Sequence, residues 1–243
     1  SHCVEFDNWD FSTVALNTTK TYQQMQHFQW NTYSIQSGNQ QTTRYDTICP
    51  RYGYERIVPM SQNATQVKNK INKLKPRAGT QIFIGMKWAT AMLDPSFRSI
   101  NLSMANAGKV DTAFSSRPVA YSDDETLKTI ILMTDGQNSS ATRIASRYYN
   151  SASEIVHWNN YNFNYYLSRY VSSHRRSRYY YNKYSEATGD QLLYNMCDAA
   201  KAKNIVIWSI GFEVQSHGAN VMQYCASSPS HYFQATATDI TNA

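Results

Sequence analysis

Asp135 closes a short apolar run, residues 129–133, and Gly136 follows at once. A carboxylate that emerges from a hydrophobic strand onto a turn is well placed to hold a cation, although aspartate also serves there as an ordinary β-turn residue. Thr80 lies just ahead of a helical stretch, where its hydroxyl can cap the backbone or face a cation. The six histidines, at 2, 27, 157, 174, 217 and 231, fall in no recognisable motif. A hydrolase built on Asp135 and a metal therefore lacks an evident acid–base partner. Cysteines stand at 3, 49, 197 and 225, with neither a C-x-x-C pair nor metal-ligand spacing. Three pairings are open. Cys3–Cys49 with Cys197–Cys225 is preferred because each pair then lies within one region of the chain; the alternative is four reduced core cysteines. The preferred pairing implies an oxidising compartment.

A framework must carry these groups. The run at 129–133 calls for burial on both faces, as in the middle of a parallel sheet covered by helices. Thr134, Asp135 and Gly136 then fall at the carboxyl end of a strand, where open α/β sheets bind ligands. Residues 204–212 give a second buried parallel strand. A helix from Asp190 through Lys203 precedes it, capped by Asp190, with Leu193, Cys197 and Ala200 along one side. Helix and strand together make an α/β unit. Residues 64–75 predict a helix with Val67, Ile71 and Leu74 on one face, stopped by Pro76. Residues 81–93 predict another, with Ile82, Met86, Ala89 and Leu93 aligned and Asp94 and Pro95 closing it. A short helix at 218–226, an edge strand at 231–235 and the start of an amphipathic helix at 239–243 complete the regular part. Residues 1–63 are irregular, with short strand candidates at 3–6 and 57–60. Residues 96–126 predict a long connection, and 140–185 show no clean helical face.

The 243 residues allow one large domain or two small ones, and a hydrophobic content of 42% supports a sizeable core. No apolar run approaches the ~18 residues of a membrane span. The first residues lack the basic start and apolar core of a signal peptide, so export or anchoring information is expected outside this chain. A net charge of +6 and a pI near 9.0 permit an acidic partner but fall short of a nucleic-acid-binding stripe. Ten of the 19 tyrosines lie between Tyr148 and Tyr184, interleaved with Arg169, Arg175, Arg176, Arg178 and Lys183 against one acid, Glu154. Tyrosine and arginine together favour protein interfaces or stacking on single-stranded nucleic acid; an insertion whose tyrosines pack on the parent domain is the plainer alternative. An exported disulfide protein seldom meets nucleic acid. The candidate partner surface is therefore Tyr165, Tyr166, Tyr170, Arg175, Arg176, Arg178, Tyr179, Tyr180 and Tyr181.

The stretch 127–139, with Thr134, Asp135 and Gly136, resembles the third metal-site loop of von Willebrand factor A (VWA) domains. Gly79, Thr80, Ile82, Gly85 and Trp88 fit G-T-x-I-x-x-G-x-x-W, a pattern of VWA domains in bacterial pilus-assembly proteins. Cys197, Lys201, Ile205, Ile207, Ile210 and Phe212 follow C-x₃-K-x₂-G-I-x-I-x-x-I-x-F, with Asn204 in place of the glycine. Residues 225–233 read C-A-S-x-P-x-x-Y-F, and residues 3–5 match a C-V-E segment. On these motifs the chain resembles TadG-like components of the Tad (tight adherence, Flp-type) pilus machinery.

The resemblance implies an α/β, Rossmann-like VWA fold, a central mostly parallel sheet flanked by helices. Residues 1–243 would form the C-terminal portion of one such domain, with irregular Tyr-rich insertions at about 7–63 and 140–189. It implies Thr80 and Asp135 as ligands of Mg²⁺. It also implies a non-enzymatic interaction module of the periplasm or cell surface, anchored through a segment outside this chain. Its partners would be proteins, pilus-assembly components above all, and not nucleic acid. A VWA-type adhesin that binds a host or matrix protein is the alternative, ahead of a metal-dependent hydrolase or a single-strand nucleic-acid binder. One element has no counterpart: the D-x-S-x-S loop that gives VWA metal sites an aspartate and two serines. Asp10, Phe11 and Ser12 supply only D-x-S. The first strand of such a domain is thus expected ahead of Cys3, outside this chain. Thr80 and Asp135 alone leave Mg²⁺ short of its six oxygens.

Overall fold

Residues 3–30, 47–75 and 79–236 are described by the computed structural model. The chain opens with β1 (Val4–Glu5), paired antiparallel with β2 (Gln23–Gln24). Phe6, Phe11 and Val14, between the two, are buried, so a segment of little periodicity still enters the main core; Phe11 meets Phe83 edge-on at 5.2 Å. The strand expected at 57–60 is irregular backbone. Helix α1 (Ala64–Ile71) takes its cap from Asn63, whose side chain accepts the Gln66 amide. Its apolar face is not covered, for Ile71 and Leu74 are both more than half exposed. Helix α2 (Ile82–Leu93) buries Ile82, Phe83 and Met86. On the same helix Lys87 is 1% exposed, and its ammonium donates to the carbonyls of Thr13 and Ala15 at 2.6 and 2.8 Å. These bonds tie the N-terminal extension to α2. The expected connection at 96–126 contains a helix, α3 (Arg98–Asn106).

Strand β3 (Thr129–Thr134) leads into β4 (Ala141–Ile144). The stretch expected to be irregular then folds into α4 (Ala152–Asn160), α5 (Phe163–Tyr170) and the short α6 (Ser173–Arg176). Their start signals are local. Ser151 and Glu154 form a reciprocal capping box, and Asn162 accepts the Tyr165 amide. The chain returns as β5 (Tyr180–Tyr184), antiparallel to β4. Phe28, Ile144, Trp158, Phe163, Leu167 and Val171 form a second hydrophobic cluster under this excursion.

Helix α7 (Glu186–Lys201) is capped by Ser185, not by Asp190, which lies one turn inside and is buried. Asn204 then turns the chain into β6 (Val206–Phe212) with φ 58°. This is the left-handed region, natural for the glycine of the compared pattern and tolerated by asparagine. Helix α8 (Ser216–Cys225) and strand β7 (Tyr232–Ala235), the expected edge strand, end the described chain. Both preferred disulfides are present, with Cα–Cα distances of 5.7 Å for Cys3–Cys49 and 5.2 Å for Cys197–Cys225. The second joins α7 to α8. The Pro76 stop and the helix start expected at 239–243 lie outside the described residues.

The sheet runs β3-β6-β7, all parallel. Helices α2, α7 and α8 cover the face that carries Ile130, Leu132 and Ile207. The architecture is thus mixed α/β, a three-stranded parallel sheet with helices against it, compatible with a Rossmann-like arrangement. Burial of β3 on both faces, expected from its apolar run, is corrected: the strand alternates. Ile131 is 71% exposed, Met133 56%, and Phe233 of β7 50%. An unbroken apolar run does not show how many of its faces are covered.

Candidate functional site

At the carboxyl end of β3 three loops converge. The Ser139 amide donates to the Thr80 carbonyl at 2.8 Å, and the Thr80 amide donates to Ser139 Oγ at 3.3 Å. The two stretches proposed from sequence as one site are therefore neighbours in space. Thr80 does not cap α2. The residue in the cap position, Gln81, makes no side-chain cap bond. The first amide of the helix, that of Ile82, instead donates to Asn138 Oδ1 at 2.8 Å. This frees the Thr80 hydroxyl to face the turn; a Cβ on Gly136 would sit 3.8 Å from Thr80 Oγ1. Thr134 Oγ1 accepts the Gly136 amide at 3.2 Å, and Asp135 projects to solvent.

Asn138 also reaches the other way. Its Nδ2 donates to Asp190 Oδ1 at 2.9 Å, and Asp190 Oδ2 lies 2.8 Å from His217 Nε2. A buried carboxylate thus orients a half-exposed imidazole on α8. Close approach makes this reach achievable. A Cβ on Gly189 would lie 3.1 Å from both Asn138 and Phe83, and one on Gly218 would lie 3.0 Å from the Gly136 carbonyl. Asn138, Asp190 and His217 are absent from the sequence-based site. They stand 52 and 27 residues apart along the chain, and no local spacing links them.

Chemically the corner offers one exposed carboxylate, Asp135, beside neutral hydroxyls. The Asp190 carboxylate is already taken by Asn138 and His217. Among the described residues no cluster of three or more His, Cys, Asp or Glu can hold a metal. Magnesium prefers six oxygens in octahedral array, so these residues by themselves do not fit it. The Asp190–His217 pair has the form of an oriented general base. Among the described residues, however, no hydroxyl or thiol is hydrogen-bonded to His217, and all four cysteines are in disulfides.

The Tyr- and Arg-rich surface divides in two. Tyr179 stacks on Tyr148 with centroids 4.0 Å apart, Tyr180 sits edge-on to Trp30 at 4.7 Å, and Tyr166 packs against Trp158 and His157. Burial raises the Tyr179 hydroxyl above the usual tyrosine range and lowers the His157 imidazole. Arg176 donates to the carbonyls of Val171 and Ser168 at 2.9 and 2.8 Å, at the end of α5, where free carbonyls favour a cation. These four side chains serve the second cluster. Tyr170, Arg175, Arg178 and Tyr181 are exposed, and Tyr165 is half-buried. Comparison of the chain with protein families, with curated proteins and with solved structures finds no match.

Proposed function

We propose that this chain is a non-enzymatic interaction module of VWA type from the periplasm or cell surface, related to TadG-like components of Tad pilus assembly. The observation that carries the reading is the uncovered face and edge of the sheet. In register across three strands stand Met133, Ile210 and Phe233, with Ile131 beside Trp208. Phe233 and Trp208 stack nearly parallel. Beyond β3 the described residues add no further strand. An apolar edge of this kind is a template for strand pairing and is covered in a working protein. A parallel strand and helix laid on β3 would close the sheet and cover Ile131 and Met133. The two disulfides suit an oxidising compartment, and no described helix is long and apolar enough to cross a membrane.

The exposed Tyr170, Arg175, Arg178 and Tyr181 provide a separate surface for a protein partner, which also serves the adhesin reading. Sedimentation of the chain tests the sheet face. Self-association that rises with concentration and vanishes in Ile131→Lys/Met133→Lys is expected. In a producing bacterium the same variant should lose adherence while accumulating in the periplasm at normal level. Unchanged adherence and unchanged sedimentation would reject the assignment.

A further inference from the structure

A cavity of about 650 Å³ lies between the N-terminal extension, α2 and β4, and reaches the Thr80–Ser139 loops through Gly79, Gln81 and Ser140. The size falls within the ~300–1,000 Å³ of small-molecule sites, which are mostly apolar with a few placed polar groups. Helix α2 and its cap residue lend it Gln81, Ile84, Gly85 and Trp88, at i, i+3, i+4 and i+7. The extension adds Val4, Met25, Trp30 and Ile48, and β4 adds Ala141 and Thr142.

Three features mark this space as built. Gly85 is mid-helix, where glycine costs about 1 kcal/mol against alanine, yet nothing lies within 4 Å of where its Cβ would be. No neighbour demands a glycine there; what its small size does is widen the cavity. The walls are fastened independently of any occupant. Cys3–Cys49 closes the extension, and the Gln26 side chain both donates to and accepts from the Ile144 backbone at 2.9 and 2.7 Å. Finally, the charges cancel. Arg143, 1% exposed, is neutralised by Glu5 at 2.5 and 3.1 Å, and Glu55 stands beside Arg56. A lining of two tryptophans and several aliphatic side chains, with no net charge, favours an uncharged occupant.

We infer that this cavity is a binding site for a neutral, largely apolar small molecule with a ring-sized body and one hydrogen-bonding end. The indoles of Trp30 and Trp88 offer faces for a flat ring; Ser140, Thr142 and Gln81 offer the polar contacts. The test is fluorescence titration with N-phenyl-1-naphthylamine, an uncharged aromatic probe that the basic surface does not attract. Saturable binding at one site per chain is expected. Gly85→Leu fills the cavity from α2 and Ser140→Phe fills it from the opposite side; each should weaken binding about tenfold or more, or ~1.4 kcal/mol. Both variants should keep the two disulfides, with Gly85→Leu unfolding at or above the native midpoint because leucine favours the helix over glycine. Ile131→Lys/Met133→Lys replaces the exposed apolar side chains of the sheet face and should leave the affinity within about twofold. Three results would each overturn the inference: no saturable binding by the native chain, binding untouched by both filling variants, or loss of binding in the sheet-face variant.

Discussion

Asn138 holds the corner at the end of β3 together, and its removal has a calculable effect. Its side chain satisfies the first amide of α2 at 2.8 Å and donates to the buried Asp190 carboxylate at 2.9 Å. A neutral hydrogen bond is worth about 1 kcal/mol and one to a charged group about 1.5–3, so Asn138→Ala should cost roughly 2.5–4 kcal/mol. For a chain of this length that lowers Tm by roughly 5–15 °C. Asn138→Asp should cost more at neutral pH, because it sets a second carboxylate against Asp190 where an amide had donated. On acidification the introduced carboxyl takes up a proton and again offers a donor. The Asp variant should therefore recover toward the native chain on acidification, and the Ala variant should not. Urea unfolding with disulfides intact, followed by fluorescence and circular dichroism, measures both. An Ala variant within about 1 kcal/mol of native, or an Asp variant without that recovery, would refute the role given to Asn138.

Calorimetric titration should show weak or no Mg²⁺ binding by this chain, and Asp135→Ala should leave its fold intact; tight binding unaffected by Asp135→Ala would reject the metal role of that loop. Thiol counting under denaturing, non-reducing conditions should find no free thiol. Reducing the bridges, whose partners are 46 and 28 residues apart, should cost roughly 3.5–4 kcal/mol each by the chain-entropy estimate. Burial holds Lys87 down to about 8 from the usual 10.5. The folded chain thus binds fewer protons than the unfolded between those values, and stability should rise with pH across that window, with no contribution from this group below it. Lys87→Met should flatten the slope, leaving the part due to the buried Lys128, as read from urea midpoints at stepped pH.

The strand–turn and helix–strand units were legible because their signals are local. Residues 129–134 and 206–212 are apolar runs closed by turns, and the Cys197–Cys225 bridge follows from proximity along the chain. The loops that carry Thr80 and Asp135 meet through the hydrogen bonds between Thr80 and Ser139. The buried hub of that corner was not legible, because Asn138, Asp190 and His217 meet only once α7 and α8 pack at Gly189 and Gly218. Asp190 has the look of a helix cap, whereas Ser185 performs that task. In the Tyr-rich stretch, regular aromatic spacing is lacking, so only the caps at Ser151 and Asn162 betray α4 and α5. The open sheet face is a different kind of miss: Ile131 and Met133 are as apolar as buried residues, and composition says nothing of what lies over them.

The bonds that seat the N-terminal extension set an order of events in synthesis. Glu5 pairs with Arg143, the Tyr184 hydroxyl donates to the Phe6 carbonyl, and Gln26 clasps Ile144, across separations of 138, 178 and 118 residues. At ~5–20 residues per second, roughly 10–35 s pass between the making of Phe6 and that of Tyr184. For most of that interval Phe28 lacks Phe163 and Phe11 lacks Tyr184. Cys3–Cys49 can restrain the segment before Lys87 or the later partners exist, since both its cysteines are made ahead of them. An oxidant acting at the site of emergence would therefore shape the extension before the rest of the protein exists to receive it.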